Sequence, residues 1–298
     1  MIFRRFVSRL SEGESVDTGH GEESPTATIL TAPDRAFFVE NGYLALPAAV
    51  PEENLAAAIR AICEFLRVDR DDPLTWYRFD LGANGVVPLH QHQAFWDNRQ
   101  HFGVYQIFSE LLGWRELWVT MDRASFKPPH RADRSDRRDD SPMHWDRDPL
   151  DRRGAYLQGL LYLTDTAADQ GAFQCVPKIY RSPEHWNSKR GADGFLVPEK
   201  FDAAEIATVP GRAGTLVVWD SRLPHGNGLN HARLPRFTQY LAMQPAGGEK
   251  ARRERVRLWR DKRAPSCWRP WPRQIDPEPG APAKLTPLGR KLLGIDRW

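Results

Sequence analysis

His144-Trp145-Asp146 and, 81 positions later (225 − 144), Leu223-Pro224-His225-Gly226-Asn227-Gly228 are the stretches whose joint reading decides the fold. On an extended strand residues i and i+2 share a face, so His144 and Asp146 can point at one ion while Trp145 faces elsewhere. Two imidazoles and one carboxylate form the facial triad that holds non-haem Fe(II) and leaves the opposite side of the ion open. An isolated His-x-Asp triplet is common by chance. Its weight comes from the sequence around and after it.

Eleven residues beyond His225 (236 − 225), Arg236 opens the alternating run Arg-Phe-Thr-Gln-Tyr-Leu-Ala-Met243, which reads as a strand. A buried arginine needs an anion, because an unpaired buried charge is costly. Its planar guanidinium suits a carboxylate gripped by two parallel hydrogen bonds. Competing assignments remain at this point. His231 rivals His225 as a ligand, Arg233 rivals Arg236, and Arg236 could instead pair with Asp220 or Glu205.

Further motifs fall in a fixed order. They are Asn41-Gly-Tyr-Leu-Ala-Leu-Pro47, Phe126-Lys-Pro-Pro129, Leu160-Leu-Tyr-Leu-Thr-Asp165, Gly171-Ala-Phe-Gln-Cys-Val-Pro177 and Gly211-Arg-Ala-Gly-Thr-Leu-Val-Val-Trp-Asp220. With the two stretches above, this set resembles the phytanoyl-CoA dioxygenase family of Fe(II)/2-oxoglutarate oxygenases over residues 35–245. The resemblance implies a mainly β fold with helical additions: a double-stranded β-helix, or jelly roll, packed by N-terminal helices. It implies Fe(II) held by His144, Asp146 and His225, with 2-oxoglutarate and O2 as cosubstrates. It places the far carboxylate of 2-oxoglutarate on Arg236, with Asn227, Lys127 and Trp145 lining the cosubstrate pocket. Phe173, Tyr162 and Trp186 are candidates for the pocket wall or for plain core. Related halogenases carry a small residue in place of the carboxylate ligand; Asp146 keeps it, so hydroxylation is the default outcome. Three features depart from the family: the charged stretch 131–140, Gln174 and Cys175 near the turn, and the tail after Gly247.

Composition agrees with such an enzyme. The chain has 298 residues, ample for a core, and a net charge of only +3, which argues against a general polyanion binder. Cys63, Cys175 and Cys267 are too scattered for a disulfide framework, so a reducing, cytoplasmic setting is expected. No apolar run reaches about 18 residues, so no membrane span is expected. The basic start Met1–Leu10 lacks an apolar segment of secretory type. No nucleic-acid motif is visible.

The expected organisation is a flexible leader over 1–32, an oxygenase domain over 33–247, and a basic, Pro/Trp-rich extension over 248–298 packed on the core. The apolar stripe Leu55, Ile59, Ile62, Phe65 and Leu66 predicts a helix over Pro51–Val68. A second helix is expected over Phe102–Leu112, and strands over Leu117–Ser125, Tyr156–Thr164, Ala172–Val176, Thr215–Trp219 and Arg236–Met243. Eight basic residues over Lys250–Arg263 predict a charged helix. It is read as a solvated helix followed by a segment anchored by Trp268 and Trp271, or alternatively as a phosphate-binding or dimer-forming element. His90-Gln-His92 reads as a helix-capping loop or pocket rim rather than a metal pair. The expected partner is a small-molecule substrate, anionic or carrier-linked, with a homodimer possible. Two other classes stay in view: a catalytically silent jelly-roll binding protein and a zinc hydrolase, which would give Arg236 no role.

Overall fold

A computed structural model describes residues 28–78, 81, 85–133, 141–150, 156–190, 196–270 and 273–298. The expected leader up to residue 27, most of the charged stretch 131–140, and Trp271 lie outside the described residues.

Helix α1 (Ala32–Asn41) is started by a capping box between Thr31 and Asp34 and ended by Gly42 in the left-handed region (φ 77°). Strand β1 (Tyr43–Leu46) leads to α2 (Glu52–Leu66), which buries Leu55, Ala58, Ile59, Ile62 and Leu66. Each leucine or isoleucine among them, removed from water, contributes roughly 1.5–3 kcal/mol. Then come β2 (Val86–Val87), α3 (Gln93–Arg99) and α4 (Phe102–Leu112). The predicted strand over Leu117–Ser125 is two strands, β3 (Leu117–Val119) and β4 (Ala124–Lys127). Between them the Met121 and Asp122 carbonyls leave the ladder to meet His90 and Arg99.

The remaining strands are β5 (Ser141–His144), β6 (Leu157–Tyr162), β7 (Phe173–Cys175), β8 (Ser188–Arg190), β9 (Leu196–Pro198), β10 (Ala207–Val209), β11 (Leu216–Asp220), β12 (His225–Asn227) and β13 (Arg236–Pro245). A short helix, α5 (Pro177–Arg181), follows β7, and α6 (Glu249–Arg260) and α7 (Pro287–Leu293) form the extension.

A seven-stranded sheet has the order β1-β11-β6-β13-β4-β2, with β3 also on β13. It faces a four-stranded sheet, β10-β7-β12-β5, and the pairings are antiparallel. This is the jelly-roll core expected from the sequence. Non-sequential neighbours such as β6 between β11 and β13 are the crossovers of such a fold.

Strand alternation sorts the side chains between two cores. On β13, Phe237, Leu241 and Met243 join the helix-covered cluster, whereas Tyr240 packs toward the space between the sheets. On β6, Leu157 and Leu161 face the helices, and Leu160 and Tyr162 face inward with Phe173, Val217 and Trp219. The extension shares the outer core through Leu258, Ala283, Leu292 and Leu293.

The extension is also tied down by half-buried and buried polar groups. Arg252 donates to the Gly294 and Ile295 carbonyls, and Arg255 to those of Leu292, Leu293 and Val119, so α6 caps the C-terminal end of α7. The Glu278 carboxylate, 4% exposed, accepts from the backbone N–H groups of His90 and Gln91. Its Glu278→Ala variant leaves these donors buried without a partner. We expect a loss of about 1–3 kcal/mol in urea unfolding, and an unchanged midpoint would show that the contact carries no stability.

Candidate metal centre

His144 ends β5 and His225 begins β12, and the two stand opposite each other in register. The register shifts between His225 and Asn227, where Gly226 sits against the Ser141 carbonyl so closely that a Cβ would collide with it. Glycine thus lets the two ligand-bearing strands meet. Asp146, two residues past His144, returns to the same face. His144 Nε2 lies 3.7 Å from Asp146 Oδ1, and His225 Nε2 lies 3.5 Å from Asp146 Oδ2. One ligand atom from each residue fits within 4.8 Å of the others.

The imidazoles are set up to donate lone pairs inward. His144 Nδ1 is 2.8 Å from the Pro142 carbonyl, and His225 Nδ1 is 3.0 Å from the Leu223 carbonyl. A carbonyl only accepts, so each Nδ1 carries the proton and each Nε2 faces the centre unprotonated in the neutral ring. Trp219 and Phe173 pack beside the His225 ring, with centroids 4.9 and 6.0 Å away. Burial pushes the Asp146 carboxyl up, but His225 and His144, which act as donors and charges only when, with no metal bound, Nε2 also takes a proton, and the Gln158 amide together outweigh it. They hold it well below the usual carboxylate range, so it is ionised at neutral pH. Two neutral nitrogen donors and one carboxylate fit a divalent first-row metal.

The centre opens into a cavity of about 380 Å³. Arg236, Asn227, Phe173 and Gln158 share its wall with the three candidate ligands. Arg236 is fully buried; it donates to the Gly171 carbonyl and, at 3.0 Å, to Ser125 Oγ. Its Nε has no hydrogen-bond partner. Asp220 and Glu205, its alternative partners in the sequence, pair with Arg222 (2.6 Å) and with Lys178. Among the described residues no carboxylate neutralises Arg236, as an anion-binding arginine requires.

The other expected residues divide. Lys127 donates to Asn227 Oδ1 and to the Gly228 carbonyl (2.8 Å), so it positions Asn227 from behind the cavity wall. Trp145 is turned away from the cavity. Its ring packs with Met143, Val176 and Ile179, and its indole N–H donates to the Arg222 carbonyl at 2.9 Å. The alternation that aims His144 and Asp146 together sends the residue between them to the opposite face. Tyr162 is core between the sheets, its hydroxyl donating to the Val209 carbonyl, and Trp186 lies beside Lys178. His231 donates its backbone N–H to Asp169 and stands outside the cluster. His92 caps α3, while burial pulls neutral His90 down to about 4.

Sequence reasoning missed Gln158, whose amide donates to Asp146 Oδ2. The signal was present: Gln158, Leu160 and Tyr162 share the inward face of one strand. It also missed Ser125 under Arg236. Groups that orient a metal ligand are worth roughly 10–100-fold in metal affinity. Gln158→Leu is therefore expected to weaken divalent-metal binding by that factor in a direct titration, with unfolding unchanged.

Comparison with known proteins places this geometry in context. A family model described as phytanoyl-CoA dioxygenase (PhyH) matches residues 38–238. A Dictyostelium discoideum protein that carries a phytanoyl-CoA dioxygenase name is 24% identical over 261 residues, covering 70% of this chain and 74% of that one. EvdO2 from Micromonospora carbonacea var. aurantiaca, solved in complex with 2-oxoglutarate, is similar in fold with a TM-score of 0.55 and 24% identity. It covers 74% of this chain and 93% of its own. The epimerase SnoN, solved with Fe3+, alpha ketoglutarate and nogalamycin RO, has a TM-score of 0.52 at 16% identity, covering 85% and 94%.

Proposed function

The chain belongs to the phytanoyl-CoA dioxygenase family of 2-oxoglutarate-dependent non-haem iron oxygenases; from that premise we propose that it hydroxylates, or otherwise oxidises, a C–H bond of a small-molecule substrate. In this reading His144, Asp146 and His225 hold Fe(II), and Arg236 binds the far carboxylate of 2-oxoglutarate. The observation that carries it is Arg236: a guanidinium buried with no carboxylate partner among the described residues, its Nε unpaired, in the same cavity as the His–Asp–His cluster. The relatives solved with 2-oxoglutarate support the same cosubstrate here.

When bound, iron and 2-oxoglutarate supply the two-electron oxidation of substrate by dioxygen, with release of succinate and carbon dioxide. The chain's own residues do the rest. The Pro142 and Leu223 carbonyls fix both imidazoles in the tautomer that can ligate. Gln158 orients the ionised Asp146 carboxylate, which would be the one anionic protein ligand of the ion. Ser125 and the Gly171 carbonyl hold the Arg236 guanidinium flat for a two-point contact. Phe173, Trp219 and Tyr240 make much of the wall apolar, which limits water around the reacting atoms. Arg123, paired with Asp122 at 3.0 Å, and Arg147 also line the cavity.

Anaerobic protein given Fe(II) and 2-oxoglutarate is expected to develop a weak visible charge-transfer band. Absence of the band would sink the assignment. Arg236→Ala should weaken 2-oxoglutarate binding by about 2–5 kcal/mol, the loss typical of a buried charge-assisted contact. Asp146→Ala should abolish succinate formation. Substrate-stimulated succinate release across a metabolite panel then identifies the substrate.

A further inference from the structure

The matched family region ends at residue 238, yet the cavity does not. Trp268, thirty residues farther along (268 − 238), lines the same cavity as the metal cluster and Arg236. It belongs to a loop whose ends are tied together. The Glu278 N–H donates to the Lys262 carbonyl at 2.8 Å, and Lys262 Nζ donates to the Pro279 carbonyl at 2.7 Å. Within the loop, Asp276 pairs with Arg269 (3.1 Å) and Arg263 (3.6 Å). The described part is therefore a compact excursion with closed ends, the architecture of an Ω-loop.

The loop is joined to the cavity wall at two points. Glu278 accepts from the His90 and Gln91 amides, and Arg99 donates to the His90 carbonyl (2.7 Å) and the Asp122 carbonyl (2.6 Å). Asp122 and Arg123 are cavity residues and form an ion pair at 3.0 Å. The Arg123 guanidinium in turn lies over the Trp268 indole, 3.5 Å from its centroid. The loop's position is thus fixed by the barrel residues it touches.

Its place along the cavity separates it from the cosubstrate anchor. The Tyr240 N–H donates to the Arg123 carbonyl at 2.9 Å, so the Arg123–Trp268 stack sits at the Tyr240 level of β13. Arg236 is four residues away on that strand, about 13 Å at ~3.3 Å per residue. The two ends of the cavity therefore present different chemistry: a buried guanidinium at one, a flat indole–guanidinium surface at the other.

The geometry points to Trp268 as a specificity-determining residue supplied by the C-terminal extension, with a ring of the substrate packing on the indole face that Arg123 leaves uncovered. This deepens the oxygenase reading and rests on it. An indole face selects flat aromatic rings over extended chains, because flat surfaces bury more area on it and add a favourable stacking term.

Two experiments on the full-length protein test it. In the first, Fe(II)-loaded protein is treated with ascorbate and peroxide, and oxidised peptides are mapped by mass spectrometry against a chelated control. The Trp268 peptide should be oxidised together with those carrying His144 and His225. Oxidation of the histidine peptides with the Trp268 peptide at the control level overturns the inference alone. No oxidation above control at any of them removes the iron reading and the inference with it. In the second, naphthalene-2-carboxylate, a soluble flat ring, is titrated into anaerobic Fe(II)·2-oxoglutarate protein and followed by the change in its visible band. W268A should bind the probe roughly tenfold more weakly, and W268F within about threefold of the parent. The band itself should persist in all three proteins, which separates a lost wall from a lost fold. Equal affinity in W268A, or no response in the parent protein, overturns the inference.

Discussion

The site depends on one close approach: β5 and β12 meet in register with His144 opposite His225, at a point where Gly226 leaves no Cβ against the Ser141 carbonyl. Two ring nitrogens and a carboxylate converge only because the strands come this near. Alternation along β5 then brings Asp146 to the same face, and the carbonyls of Pro142 and Leu223 dictate which nitrogen each ring offers. The pattern is local in backbone terms, since each histidine is oriented by the carbonyl two residues before it. The long-range work is done by the sheet that holds the strands in register.

Much of this was legible in the sequence, and the illegible part has physical reasons. The His-x-Asp spacing and the glycine after His225 are backbone requirements, so they are written in the residues themselves. Helix α2 was readable because its buried residues repeat at helical spacing; its observed bounds, Glu52–Leu66, fall inside the predicted ones. The split between β3 and β4 was not readable, because it arises from carbonyls drawn off by His90 and Arg99, both distant from that segment. Trp145 shows the opposite failure: the period-two rule that placed His144 and Asp146 also excluded it from the pocket. Gln158 and Ser125 carry no motif, and only the pairing of strands reveals what they touch.

The basic extension illustrates how charge counts mislead. Its arginines look like a polyanion-binding face, yet Arg252 and Arg255 are spent on carbonyls at the end of α7 and on Val119. A guanidinium with several donors is well suited to collecting carbonyls left over at a helix end. The same segment contributes apolar side chains to the helix-covered core, so it is structural before it is anything else.

The candidate ligands and the cosubstrate anchor stand on different sheets: His144 and His225 on the four-stranded one, Arg236 on the seven-stranded one. Under the proposed roles a metal ion alone braces only the smaller sheet. A keto acid that chelates the ion and also reaches Arg236 becomes a strut between the two. Loading of the cosubstrate would then tie the two sheets together, and the charged state is expected to resist unfolding more than the resting one.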